Sequence, residues 1–128
     1  MEASKRSEKD LSLADEFLED AETLYRIGSL RSAESRLYYS IFHAARALLF
    51  EMGMKAKTHK GTISLFGEKI ISEGVVDERY SKLLSRSFSA REAADYRTDV
   101  DINVEELEER IEESKSFISE IREKIGQR

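Results

Sequence analysis

Apolar residues recur every three or four positions along almost the whole chain, and no proline interrupts them. A period near 3.6 lays such residues along one face of an α-helix, and it cannot sit still as the period-2 pattern of a strand. Glycine, the other helix breaker, falls at or near an apparent break at every position except Gly67. Helices joined by short turns are therefore predicted throughout. At 128 residues the length fits one domain, residues 1–128, with a hydrophobic core that needs no staples.

Five helical segments follow. The first runs from about Asp10 to Ile27, with Leu11, Ala14, Leu18, Ala21 and Tyr25 as its stripe and Gly28 as its stop. The second runs from Leu30 to Met52 and ends at Gly53. The third follows Lys55–His59, carries Ile63, Phe66 and Ile70 on one face, and stops at Glu73–Gly74. The fourth opens near Asp77, a predicted N-cap, and closes at Tyr96 or Arg97. The fifth opens with Asn103, whose side chain is expected to cap while Glu106 reaches back. Val104, Leu107, Ile111, Ser114, Ile118, Ile121 and Ile125 then form a seam with one polar break. Short connections favour antiparallel neighbours, so the expected fold is all-α, an up-and-down antiparallel bundle of four to five helices.

Composition removes several classes of chemistry. There is no cysteine, hence no disulfide, thiolate metal site or cysteine nucleophile. The two histidines, His43 and His59, stand in unrelated segments, with no metal-ligand spacing and no expected cofactor. No stretch reaches the ~20 apolar residues of a membrane span, and the first residues lack the apolar core of a signal peptide, so a cytoplasmic protein without a membrane partner is expected. The formal charge is −5; any contact with RNA or a nucleotide must come from a local group of arginines rather than a generally basic surface.

Two helices depart from a plain amphipathic pattern. On the second, Leu37, Ile41, Ala45, Leu48 and Met52 make the core stripe, while Arg36, Tyr39, His43, Arg46 and Phe50 share the nearly opposite face. Two readings fit: a central helix covered on both sides by other helices or a second subunit, or a groove with arginine for phosphate and aromatic rings for bases. Arg36 and His43 stand two turns apart, a spacing that could pair charge stabilisation with proton transfer. On the fourth helix, Arg91 lies in line with Tyr80, Leu84, Ser87 and Ala94, where an apolar residue is expected. It either forms a locking pair with Asp95 or is held in a cleft to receive phosphate. His59, among Lys55, Lys57 and Lys60 at the start of the third helix, adds a modest anion-site signal.

Three blocks in this order, SRLYYSIFHAARALLFEMG (35–53), KTHKG (57–61) and REAADYRTD (91–99), resemble the HEPN superfamily. More narrowly, they are similar to its small prokaryotic branch with an Arg-x-x-Ala-Asp-Tyr signature. The resemblance spans Lys9 to Ile121. It implies a four- or five-helix bundle, often a homodimer, paired with a minimal nucleotidyltransferase in a toxin–antitoxin or stress system. Many HEPN members are metal-independent ribonucleases with an Arg-x4-6-His motif late in the domain. Arg91 matches that arginine, but Tyr96, Arg97 and Thr98 occupy the positions where the histidine would stand. Tyrosine is a poorer proton carrier than imidazole at neutral pH. The seam position of Arg91 and the missing motif histidine lead to the expectation of a non-catalytic or regulatory module binding RNA or a nucleotide through Arg91, Asp95, Tyr96, His59 and Tyr39. A metal-independent endoribonuclease using Arg36, His43 and Arg91 is the alternative, and an oligomeric scaffold a third.

Overall fold

The computed structural model describes residues 2–127, with side chains from residue 5 onward. Five helices account for most of it, and no strand occurs among the described residues. They are α1 (Glu2–Arg26), α2 (Leu30–Glu51), α3 (His59–Leu65, continued by a π-helical turn Phe66–Ile71), α4 (Arg79–Tyr96) and α5 (Val104–Gly126). The all-α bundle expected from periodicity is what forms.

Pairwise contacts fix the directions. From α1 to α2, Ser7 meets Ala47, Asp10 meets His43, and the Ala14 carbonyl meets Ser40. Rising numbers on one helix meet falling numbers on the other, so the pair is antiparallel. The same holds for α1 with α5 (Tyr25–Glu108, Asp15–Arg122) and for α4 with α5 (Tyr80–Phe117, Ser87–Arg110). The central helix is α2: Leu37, Tyr38, Ile41, Ala45, Leu48 and Leu49 are all sealed from solvent.

Helix ends are set by residues visible in the sequence. Gly28, Gly53 and Gly74 take φ between 72° and 80°, and the amide after each returns to a carbonyl five residues back (Ser29 to Leu24, Met54 to Leu49, Val75 to Ile70). This is the left-handed closure that glycine permits without a Cβ penalty. Asn103 Oδ1 accepts from the Glu106 amide at 3.0 Å as expected. The Glu106 carboxylate, however, turns along the helix toward Arg110 Nε (3.9 Å) instead of reaching back.

Two boundaries differ from expectation. The first helix begins eight residues early, because Ser7 docks on α2: its hydroxyl donates to the Ala47 carbonyl (3.1 Å) and to Glu51 (2.9 Å). Good helix formers such as Lys5, Arg6, Glu8 and Lys9 extend the helix once that contact holds it. The fourth helix starts at Arg79, so Glu78 and not Asp77 holds the N-cap position; Asp77 stands one residue outside, its carboxylate accepting from the Arg79 amide (2.9 Å). Past Tyr96 its C-terminal carbonyls are gathered by Arg31, which donates to Ala94, Arg97 and Val100 oxygens at 2.7, 3.0 and 2.6 Å. A cation at a helix C-terminus satisfies orphan carbonyls and opposes the dipole.

Candidate functional site

The outward face of α2 is half covered, not bare. Tyr39, His43, Arg46 and Phe50 are partly buried, and only Arg36 is open. The cover comes from α1. Phe17 stacks on His43 (ring centroids 5.6 Å) and tilts against Tyr39 (6.1 Å), while the Arg36 guanidinium lies over the same ring at 5.6 Å. Asp10, almost wholly buried, takes two partners from α2: His43 Nδ1 at 2.7 Å and Arg46 Nη2 at 3.0 Å. A buried carboxylate needs such company to stay charged.

Arg91 is held where the sequence placed it, among apolar neighbours late in the bundle. Its side chain is 15% exposed. The guanidinium sits over Tyr38, Tyr39 and Phe88 at 5.2, 5.6 and 5.8 Å, an arrangement that favours a cation through the ring quadrupoles. Nη1 donates to Asp95 Oδ2 at 3.1 Å, so the i,i+4 pair exists. Nε is buried without a partner. Around the start of α2, Arg31, Ser32, Ser35, Arg36 and Asp95 enclose a cleft of about 230 Å³ beside this pair. The pair with Asp95 is thus present, and of the two residues it is Asp95 that lines the cleft. Tyr96, in contrast, is 76% exposed.

His59 is the larger surprise. Thr58 caps α3, its Oγ1 accepting from the Gly61 amide at 2.9 Å. A Cβ on Gly61 would stand 2.9 Å from that oxygen, so glycine here lets the turn close. The tight start turns His59 inward while Lys55, Lys57 and Lys60 stay exposed. The imidazole stacks face to face on Phe42 at 4.2 Å and 5°. It also packs on Tyr38 (5.6 Å) and Tyr39 (5.9 Å), the rings that hold Arg91. Phe42 in turn meets His43 at 5.4 Å and carries Arg46 at 5.3 Å. The two histidines, expected in unrelated contexts, share one phenyl ring because α3 folds back onto α2.

The electrostatics of the cluster are consistent with its packing. Burial, then the charges of Arg91, Arg46 and His43, push the His59 pKa below its usual 6.5, so its imidazole is neutral near pH 7. Burial drives the Tyr38 phenol well above 10, against the pull of Arg91, so it keeps its proton. Tyr38 Oη and His59 Nδ1 lie 2.6 Å apart.

Sequence reasoning did not find Asp10, Phe17, Tyr38, Phe42 or Phe88. Tyr38 and Phe42 lie between the two stripes of α2 and look like ordinary core; Asp10 lies beside an apolar stripe, and only its partners distinguish it. Also missed was Arg110, buried in the α5 seam and paired with Glu34 Oε2 at 2.7 Å. Among the described residues no group of three or more His, Asp or Glu is placed to hold a metal, and no helix is long and apolar enough to cross a membrane.

The HEPN domain profile matches residues 7–124. The chain belongs to the HEPN domain family. A protein of Methanocaldococcus jannaschii named as a candidate toxin is 37% identical over 112 residues, covering 88% of this chain and 83% of the relative. A second protein of that organism with the same kind of name is 30% identical, covering 88% and 76%. A protein of Thermotoga maritima designated UPF0332 is 31% identical over 108 residues, 84% of this chain and 82% of its own. This HEPN chain therefore has relatives whose names associate them with toxins, and the match covers every residue of the cluster around Phe42.

Proposed function

We propose that this HEPN domain engages RNA on the face that α2 forms with Arg91, as the toxin-side member of a cytoplasmic two-component system. Its counterpart is a minimal nucleotidyltransferase, and the working form is a homodimer, as the family resemblance implies. Toxin-related names among its relatives support the toxin-side role.

The observation that carries it is the setting of Arg91. One nitrogen is tied to Asp95, the plane is held by three rings, and Nε is left without an acceptor. A guanidinium fixed in this way keeps its fork geometry for phosphate and loses little freedom on binding. Tyr39, Phe17 and Phe88, all half-buried, offer ring faces beside it. Arg36 and Arg46 stand ten residues apart on α2, about 15 Å, giving a short basic track on an otherwise acidic protein.

Fluorescence anisotropy with a labelled single-stranded RNA tests this. Arg91→Ala is expected to weaken binding at least tenfold, consistent with about 1.5–3 kcal/mol for a charged hydrogen bond. Arg91→Lys, which keeps charge but not the fork, should recover only part of it. Wild-type binding in both variants, or no binding by the parent protein, would remove the reading.

A second reading, a metal-independent endoribonuclease, is favoured by one specific observation. Two imidazoles converge on Phe42 within the field of Arg46 and Arg91. Position 96 lacks an imidazole, but the cluster does not.

A further inference from the structure

We propose that the cavity at the buried Glu34–Arg110 pair binds a small neutral carboxamide, whose N–H and carbonyl oxygen meet the two atoms of that pair left without partners. The cavity shares no residue with the ring cluster or with the cleft beside Asp95, and it stands or falls independently of the RNA reading.

Burial makes this pair informative. Both side chains are 4% exposed. Arg110 Nη2 donates to Glu34 Oε2 at 2.7 Å, and Arg110 Nη1 donates to Ser87 Oγ at 3.4 Å. A guanidinium can meet a carboxylate through two parallel bonds, but here only one forms. Glu34 Oε1 and Arg110 Nε are buried with no hydrogen-bond partner among the described residues. Glu106 Oε1 stands 3.9 Å from Nε, too far for a bond. Buried polar groups are ordinarily satisfied, so each exception calls for a physical reason. Both residues line a cavity of about 160 Å³, which α2, α4, α5 and the segment joining α4 to α5 enclose.

Charge balance and size choose the ligand. Glu34 and Arg110 already neutralise each other, so the pair lacks one donor for Oε1 and one acceptor for Nε, not an ion. A carboxamide carries both in one plane. A carboxylate has no hydrogen to give Oε1 and would stand near Asp101 and Glu106, the acidic residues of the rim. An ammonium has no lone pair for Nε and would face the guanidinium. The volume is well below the roughly 300–1,000 Å³ of sites for drug-sized ligands, so the occupant has few heavy atoms. Ala93, Val100 and Ile102, all half-buried, supply an apolar wall that suits a short branched chain on the amide carbon. Glu106, whose side chain is 50% exposed and makes only the long contact to Nε, can swing aside as the ligand oxygen arrives.

The test is methyl NMR of the full chain at neutral pH with three probes of one shape: isobutyramide, isobutyrate and isobutylamine. Isobutyramide should move the Ala93, Val100 and Ile102 methyl signals along a saturable curve and leave those of Ala14 and Ala21, sealed in α1, in place. The acid and the amine should each bind at least about tenfold more weakly, the worth of one hydrogen bond to a charged group. Arg110→Met with Glu34→Leu removes both atoms and leaves an apolar pair in their place, so it should fold and show no saturable shift. Glu34→Gln turns the free acceptor into an N–H donor once the Gln oxygen takes the bond from Arg110. Two donors then meet the ligand, and the preference should pass from isobutyramide to isobutyrate, a reversal that packing alone would not produce. A saturable curve in the double variant overturns the proposal, as does an unchanged preference in Glu34→Gln. Equal binding of the three probes, or tightest binding of the amine, overturns it too. So does a wild type with no saturable shift, which would leave Glu34 and Arg110 as a structural tie completed by water.

Discussion

At the scale of single residues, His59 links the cluster to stability. Its folded pKa is lowered by burial and by Arg91, Arg46 and His43, so the unfolded chain binds the proton more readily. Stability from this group is therefore complete above the unfolded value near 6.5 and declines as pH falls through the folded value. Urea midpoints measured at pH 7.5 and pH 5.5 should drop more on acidification in the wild type than in His59→Gln. Equal drops would mean that the imidazole sits in no such field. Arg91 shows how a single residue can be legible in part: its departure from the apolar stripe was visible in the sequence, while the three rings that hold it were not. Its ring partners Tyr38 and Tyr39 come from a different helix, and only packing brings α2 against α4.

Among elements, the tie between α5 and α2 is an ion pair rather than apolar packing alone. Arg110 Nη2 and Glu34 Oε2 meet at 2.7 Å with both side chains sealed, and Ser87 Oγ of α4 lies 3.4 Å from Arg110 Nη1. Removing one partner strands the other charge in the core. Arg110→Ala should thus cost about 3–5 kcal/mol in urea unfolding, whereas Arg110→Met with Glu34→Leu should fall near wild type or above it. A double variant as unstable as the single one would show that the pair itself, not the stranded charge, sets the cost. The sequence disguised this tie, because Arg110 stands next to Ile111 in the seam and Glu34 stands among residues of mixed polarity. The early start of α1 is of the same kind, set by Ser7 docking on α2 and not by propensity.

For the molecule as a whole, the charge of −5 confines the proposed RNA contact to a small basic region on one face. Salt should then weaken binding only modestly, with about 0.7 counterions released per phosphate neutralised on a single strand. The proposed assembly makes its own prediction: co-expression with a minimal nucleotidyltransferase should give a complex on size-exclusion chromatography with light scattering, and the free chain should elute as a dimer. A strictly monomeric chain that does not copurify with such a partner would remove that part of the proposal.

The helical class, the three glycine closures, the Asn103 cap and the core stripe of α2 were determined by the sequence alone. Each depends on residues within one or two turns of one another, where spacing dictates geometry. The shared ring beneath His43 and His59, the carboxylate of Asp10 against α2, and the Arg110–Glu34 pair were decided only by the tertiary structure. The contacts between elements join residues 17 to 76 positions apart, and no local periodicity encodes which side chain of one helix will face which side chain of another.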